Sequence, residues 1–405
     1  MRILVQKFGG TSLSTAEARK QVIRHIRREL DNGFHLAVVV SAMGRRGEPY
    51  ATDTLLDWIG GNGNHLPARE QDMLLCCGEI ISATTLCSLL HEEGIPAAVF
   101  NGAQAGFKTD QHFGNARILD VNPERVLQAL QENKVAIVTG FQGQAENGDF
   151  TTLGRGGSDT SATALGAALR AEMVDIYTDV NGILTADPRL VEDAKPLTVV
   201  SYAEICNMAH HGAKVIHPRA VEIAMQAQIP VRVRSTFSDE EGTLVTNPDG
   251  IHDLYEGIVD RFVTGIAYVS NVTQITVEAH EGAHDLQLNV FKAMAHNQIS
   301  VDFINVTLSG AVYTVFDHDA PRALEVLREM GYSPKAMSSC AKVSVIGGGM
   351  NGVPGIMAHI VEALTKQDIQ ILQSADSNTT IWVLVTKEDM VRALRALHEQ
   401  FGLNR

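Results

Sequence analysis

The stretch Ile3-Leu4-Val5-Gln6-Lys7-Phe8-Gly9-Gly10-Thr11-Ser12 decides the fold class. Ile3–Phe8 is an apolar run of strand length, and Gly9-Gly10 interrupts it. Beyond it, Ser14 and Glu17 have the spacing of a capping box, and Val22, Ile23, Ile26 and Leu30 share one helical face. Asn32-Gly33 stops that helix. Leu36–Val40 is then a continuous apolar run of the kind a parallel sheet buries on both faces. Similar runs recur at Val135–Val138, Val174–Thr178 and Val231–Val233, with helical stretches between them. Alternation of this kind predicts an α/β domain with a mainly parallel sheet over residues 1–245. The polar cluster Asn247-Pro248-Asp249-Gly250 marks a linker over 246–262.

The remainder repeats itself with a period of about seventy residues, the signature of duplicated modules. Arg322-Ala323-Leu324 matches Arg392-Ala393-Leu394, and Phe291-Lys292-Ala293-Met294 matches Val361-Glu362-Ala363-Leu364. Ile299-Ser300-Val301 likewise matches Ile369-Gln370-Ile371. Each copy, 263–340 and 341–405, reads strand, helix, strand, strand, helix, which is the βαββαβ order of a ferredoxin-like module lacking its last strand. The first copy has a closing strand at Lys335–Ser339, whereas the last helix of the second runs to Arg405. An extra strand, Val263–Val269, precedes the first copy and is expected to complete the second, which makes the first module an insertion in the second.

Composition narrows the function. The chain has 405 residues, 45% apolar and 20% charged, an ordinary globular balance with room for two or three domains. A net charge of −14 disfavours nucleic acid as a partner, because an acidic surface repels phosphate backbones. No unbroken apolar run approaches the roughly 20 residues that span a bilayer. The start at Ile3-Leu4-Val5 has no signal-peptide pattern, so no membrane and a cytoplasmic location are expected. Cys76, Cys77, Cys87, Cys206 and Cys340 carry no C-x-x-C spacing and read as reduced thiols, not as zinc ligands or disulfides.

Two loops carry chemistry. In Lys7-Phe8-Gly9-Gly10-Thr11-Ser12, backbone N–H groups and a helix start can meet anionic oxygens, and Lys7 adds a full charge. Gly154-Arg155-Gly156-Gly157-Ser158-Asp159-Thr160-Ser161-Ala162 is the second, with a helix expected over Asp159–Leu169. G-x-x-x-x-G-K-[ST] occurs nowhere, so P-loop chemistry is excluded while phosphate binding is not. Gly347-Gly348-Gly349-Met350-Asn351-Gly352 fits G-x-G-x-x-G, but the repeat around it is too short for a dinucleotide domain, so a structural or carboxylate-holding turn is expected. His210, His211 and His217 lack a metal-binding pattern and read as satisfied or exposed histidines. Glu79, in the apolar run Met73–Leu86, is either a helix-surface residue or a buried ligand for a cation.

Taken together, these stretches resemble the aspartate kinase family along essentially the whole chain. The resemblance rests on Val5–Ser12, Val40-Ser41-Ala42-Met43-Gly44, Cys77-Gly78-Glu79, Leu153–Ala162, Tyr177–Gly182 with Thr185–Arg189, and Gly212-Ala213-Lys214-Val215. It implies an amino-acid-kinase domain followed by two ACT modules, one inserted in the other. The implied reaction transfers the γ-phosphoryl group of ATP, with Mg²⁺, to L-aspartate, giving 4-phospho-L-aspartate and ADP.

By the same resemblance, Lys7 stabilises the transferring phosphoryl group, Asp159 holds Lys7, and Gly9, Gly10 and Thr11 line the phosphate path. Ser41, Thr52 and Ser158 are implied on the substrate side. Glu79 takes the ammonium and Arg155 the α-carboxylate through its planar fork. Thr178, Asp179, Asp187, Arg189 and Lys214 are implied around the nucleotide, and the magnesium rides on its phosphates with no metal ligand from the chain. A kinase for glutamate or acetylglutamate is a competing reading, although it is not expected to carry the paired repeat. A non-catalytic amino-acid sensor is another, against which Lys7, Glu79, Arg155 and Asp159 stand. The end at Arg405 leaves no room for a fused homoserine dehydrogenase, so the monofunctional form is expected. Ile371–Ser377 and Tyr50-Ala51-Thr52-Asp53 resemble the diaminopimelate-sensitive isoform. The effector implied is meso-diaminopimelate, with lysine, alone or with threonine, as the alternative, acting on a homodimer formed through 263–405. In Glu281-Gly282-Ala283-His284-Asp285 the first copy lacks the Pro-Gly turn that the second has at Pro354-Gly355.

Overall fold

The computed structural model describes residues 1–63, 65–213, 215–247, 262–278, 285–350 and 352–405. It divides into two units. One is Met1–Ile183 with Pro196–His210 and Lys214–Val259, and the other is Leu184–Lys195 with His211–Ala213 and Asp260–Arg405.

In chain order the strands of the first unit are β1 (Ile3–Phe8), β2 (His35–Val40), β3 (Ala97–Phe100), β4 (Phe107–Thr109), β5 (Ile118–Val121), β6 (Val135–Thr139), β7 (Gln142–Ala145), β8 (Phe150–Thr152), β9 (Met173–Thr178), β10 (Val199–Ser201), β11 (Val231–Ser235) and β12 (Thr243–Thr246). Its helices are α1 (Gly10–Leu13), α2 (Ala16–Asp31), α3 (Thr52–Trp58), α4 (Ala68–Glu92), α5 (Glu124–Gln131), α6 (Gly157–Leu169), α7 (Tyr202–His210) and α8 (Pro218–Ala227). The main sheet runs β10-β12-β11-β9-β1-β2-β6-β3 and is parallel except where β12 meets β11. β1 lies between β2 and β9, with Lys7 opposite Val39 and Ile176. A small sheet, β5-β4-β7-β8, completes the unit.

The apolar runs form these strands because helices cover them. Val22 and Ile26 of α2, and Ala83, Leu86 and Leu90 of α4, pack with Leu4, Leu36, Val38 and Ile137 in one core. The cap of α2 sits one residue later than the sequence suggests. Thr15 accepts from the Ala18 N–H, while the Ser14 hydroxyl donates back to the Thr11 carbonyl because α1 ends there. Helix α4 is long and apolar enough to cross a bilayer by length and composition alone. Here its buried residues include Asp72, Glu79 and Ser82 as well as core apolar groups.

The second unit has a sheet ordered β14-β15-β13-β16-β18-β17, antiparallel throughout. Its strands are β13 (Gly265–Glu278), β14 (Asp302–Thr307), β15 (Gly310–Phe316), β16 (Lys335–Ile346), β17 (Gln373–Asp376) and β18 (Thr380–Thr386). Two short strands were expected at Val263–Val269 and Lys335–Ser339, but both run on. One half of β13 pairs with β15 across 272–278, and its other half pairs with 341–346 of β16. The register shifts between Ser270 and Gln274 mark the change-over. Each half of the sheet is covered by its own helices. Leu286–His296 and Ala320–Glu329 bury Val290 and Leu327 against Ile275. Ile356–Lys366 and Met390–Gln400 bury Ile360 and Leu394 against Val345.

Within the stretch 1–245, Leu184–Lys195 and His211–Ala213 group with the second unit. Packing is the reason for the first of these segments. Ala186 and Val191 are buried in the same core as Ile266, Val343 and Val383, and the Ile266 N–H donates to the Thr185 carbonyl at 2.7 Å. Most of the expected linker and residues 281–284 lie outside the described residues.

Candidate active site

Open parallel sheets place ligand-binding groups beyond the carboxyl ends of their strands. Here that edge gathers Lys7 from the end of β1, Ser41 after β2, and Thr178 with Asp179 at the end of β9. Two helix starts adjoin it in the chain, α1 after Gly9 and α6 after Gly156.

Lys7 Nζ lies 2.7 Å from Asp159 Oδ1, and both side chains are 12% exposed. Asp159 sits in the first turn of α6, so the pair ties the central strand to the second Gly-rich loop. Gly9 lies beside the ammonium: a Cβ there would meet Lys7 Nζ at 3.6 Å, an ordinary contact distance. Gly10 is tighter. A Cβ on it would fall 2.6 Å from the Ala42 carbonyl oxygen and 2.7 Å from that of Gly44, so only glycine lets α1 start this close to the loop after β2. The Gly44 N–H in turn donates to the Gly10 carbonyl at 3.0 Å. Thr11 is half-buried in α1.

Glu79 resolves in favour of the buried reading. It is 2% exposed on α4. Its Oε1 accepts from the Ala42 N–H at 3.1 Å, next to Ser41, while Oε2 is buried without a hydrogen-bond partner. Burial pushes its carboxyl up to about 8, against smaller opposing effects of the hydrogen bonds it accepts. A half-satisfied carboxylate of this kind suits a cationic ligand, since a partner for Oε2 removes the desolvation penalty.

Thr52, half-buried, begins α3, and Ser158, half-buried, lies in the first turn of α6. Arg155 is exposed in the loop between β8 and α6. The Thr178 hydroxyl donates to Asp179 at 3.2 Å. Asp187 and Arg189 belong to the second unit, where they form an ion pair at 2.7 Å and Tyr268 donates to Asp187 at 3.4 Å. Lys214 lies outside the described residues.

Two participants were not singled out in the sequence. Arg45 pairs with Asp179 at 2.6 Å and reaches from the loop after β2 to the end of β9. Asp72 is 1% exposed and accepts from the Gly114 N–H, the Thr152 N–H and the Thr152 hydroxyl, anchoring the strand that leads into the Gly-rich loop. Asp72 stands two helical turns before Glu79 on the same face of α4, a spacing readable as a second acid on one buried stripe.

Comparison with known proteins shows the family of the chain. The Amino acid kinase family matches residues 2–235, and an ACT domain matches residues 336–399. The chain is 54% identical to Aspartokinase 1 of Bacillus subtilis (strain 168) over 405 residues, covering 100% of both chains. It is 40% identical to an aspartokinase of Geobacillus stearothermophilus, covering 100% of this chain and 98% of that one. Among solved structures it is similar to E. coli aspartokinase III in complex with aspartate and ADP in the R-state, with a TM-score of 0.79 and 26% identity, covering 98% and 99% of the two chains. It is also similar to the same enzyme in complex with lysine and aspartate in the T-state, with a TM-score of 0.76 and 27% identity over 98% and 99%.

Proposed function

As a member of the aspartokinase family the chain is a kinase that phosphorylates the aspartate carboxylate, and we propose that it does so by direct in-line transfer at the Lys7–Asp159 edge of the main sheet. The product is 4-phospho-L-aspartate, at the head of lysine, diaminopimelate, threonine and methionine biosynthesis in the cytoplasm. The observation that carries this reading is the Lys7–Asp159 ion pair, which holds a lysine ready beside the Gly9-Gly10 turn.

The chemistry asks little of a general base. A side-chain carboxylate with pKa about 3.9 is already ionised at neutral pH. One of its oxygens attacks the γ-phosphorus, the bond to the β,γ-bridging oxygen breaks, and ADP leaves with that electron pair. Catalysis then consists of bringing two anions together and spreading the charge of the transferring group. Lys7 meets the phosphoryl oxygens, and the Gly9, Gly10 and Thr11 amides line their path. Glu79 receives the substrate ammonium through Oε2. Arg155 takes the α-carboxylate, and Ser41, Thr52 and Ser158 orient the reacting carboxylate.

Asp159 and Asp179 are each engaged by a cation, Lys7 and Arg45. Magnesium would therefore come on the nucleotide phosphates, whose oxygens the chain grips, and when bound it would supply neutralisation of the charge there. Thr178 and Asp179 border the nucleotide.

Feedback control acts through the ACT modules. A cavity of about 460 Å³ in the second unit is lined by Met350, Gly352, Ser374, Asp376, Ser377 and Asn378, among others. Asp376 is the charged group among its lining residues, which suits a ligand with an ammonium group. meso-Diaminopimelate is the first candidate, and lysine and threonine are next. The chain works as a homodimer through 263–405. The edge strand β14 exposes Ile304 and Val306, which a second copy covers. A coupled ADP-release assay with aspartate, glutamate and acetylglutamate tests the reaction. Turnover with aspartate alone is expected, and equal turnover with either alternative overturns the substrate assignment.

A further inference from the structure

Helix α7 ends in Cys206-Asn207-Met208-Ala209-His210. Cys206 and His210 are four residues apart, so one helical turn stacks them on the same face. Helix α8 packs against α7 and brings Glu222 to that face. His210 Nε2 lies 3.6 Å from Glu222 Oε1. The Cys206 sulfur, a His210 ring nitrogen and a Glu222 carboxylate oxygen all lie within 4.8 Å of one another. Among the described residues no other three Cys, His, Asp or Glu side chains converge in this way.

We propose that Cys206, His210 and Glu222 form a binding site for a thiophilic divalent cation of the zinc class, with water in the fourth position. A tetrahedral ion with bonds of about 2.0–2.3 Å spaces its ligand atoms about 3.3–3.8 Å apart. The His210–Glu222 separation already falls in that range, and the Cys206 sulfur lies within 4.8 Å of both ligand atoms. A thiolate, an imidazole and a carboxylate together suit zinc. Magnesium and calcium prefer oxygen alone, so the site is distinct in kind from the magnesium–nucleotide site. The side chains of His210 and Glu222 are about half exposed, which gives the ion a way in and leaves room for water. On binding, the Cys206 thiol releases its proton to solvent and the sulfur donates as thiolate.

The site also has a structural consequence. The ion ties α7 to α8, and α8 carries His217 as its N-cap. His217 rests on the second Gly-rich loop so closely that a Cβ at Gly156, where φ is +66°, would lie 2.2 Å from it. Fixing α8 therefore stiffens the wall against which that loop leans.

The test uses the full chain, reduced and stripped with chelator, titrated with Co²⁺ as a spectroscopic stand-in for Zn²⁺. One equivalent is expected to produce a thiolate-to-cobalt charge-transfer band that Zn²⁺ then bleaches. Cys206→Ser should abolish the band, whereas Cys77→Ser at an exposed cysteine should leave it intact. His210→Ala and Glu222→Gln should each weaken cobalt binding at least about tenfold, the lower end of what losing even an outer partner costs a metal site. Far-ultraviolet circular dichroism establishes that each variant is folded. Absence of the band at stoichiometric cobalt, or a band that survives Cys206→Ser in a folded protein, overturns the proposal.

Discussion

Lys7 Nζ and Asp159 Oδ1 stand 2.7 Å apart, joining the end of the central strand to the first turn of α6. Both side chains are largely withdrawn from water, so removing either partner strands a poorly solvated charge. The pair holds the ammonium in place before substrate arrives, and it spares reorganisation at the moment of transfer.

Replacing Lys7 should therefore act on turnover. Lys7→Met is expected to lower kcat by roughly 10²–10³, the usual loss for one preorganised electrostatic partner. The KM for ATP should change less. Steady-state kinetics measure both, and turnover within a few-fold of the parent would remove Lys7 from the reaction.

Glu79 predicts a pH dependence of defined sign. Burial raises its carboxyl to about 8, so at neutral pH the substrate-free enzyme holds it mostly protonated. Gripping an ammonium requires the ionised form. The KM for aspartate should then fall as pH rises toward about 8 and level off above it. Stability runs the other way. Between the ordinary value of 4.5 and about 8 the native state keeps a proton that the unfolded chain releases, so this group lowers stability as pH rises through that window. Glu79→Gln should flatten both profiles and raise the KM for aspartate far more than that for ATP. Equal effects on both substrates would place Glu79 outside the aspartate site.

Gly10→Ala tests the close approach of α1. The added methyl would collide with two backbone carbonyl oxygens that have no flexible end to yield. A destabilisation of about 1–3 kcal/mol, typical of overpacking, is expected together with loss of activity. Denaturant midpoints read the first and the ADP assay the second. An unchanged midpoint would mean that the loop after β2 moves freely.

Asp376→Ala tests the feedback cavity. In the parent, meso-diaminopimelate, lysine or threonine should inhibit the kinase, and a coupling of about 1–3 kcal/mol suffices for five- to 150-fold. The variant should lose that inhibition while kcat without effector stays unchanged. Insensitivity of the parent to all three amino acids would refute the effector class, and full inhibition of the variant would move the site away from Asp376.

Much of this was readable along the chain. The alternation of Ile3–Phe8, the helix through Leu30 and the run Leu36–Val40 announces a parallel sheet, because strand and helix periods are local and each run reports its own burial. The repeat was legible in the same way, since Arg322-Ala323-Leu324 and Arg392-Ala393-Leu394 occupy matching helices, Ala320–Glu329 and Met390–Gln400. The cap of α2 is ambiguous by one residue in the sequence, because Ser14 and Thr15 are both competent and only the end of α1 at Leu13 decides between them.

By itself, then, the sequence determined the parallel α/β layer, the duplicated antiparallel module and the two Gly-rich loops, all patterns a chain writes into short windows. Tertiary structure alone decided whether Glu79 faces water or the Ala42 amide, and that Arg45 meets Asp179. It also decided that Ala186 and Val191 pack with Ile266, and that Glu222 joins Cys206 and His210. Desolvation and charge pairing depend on which groups stand within a few ångströms in space. That distance is set by how helices and strands from remote parts of the chain pack, and no local period encodes it.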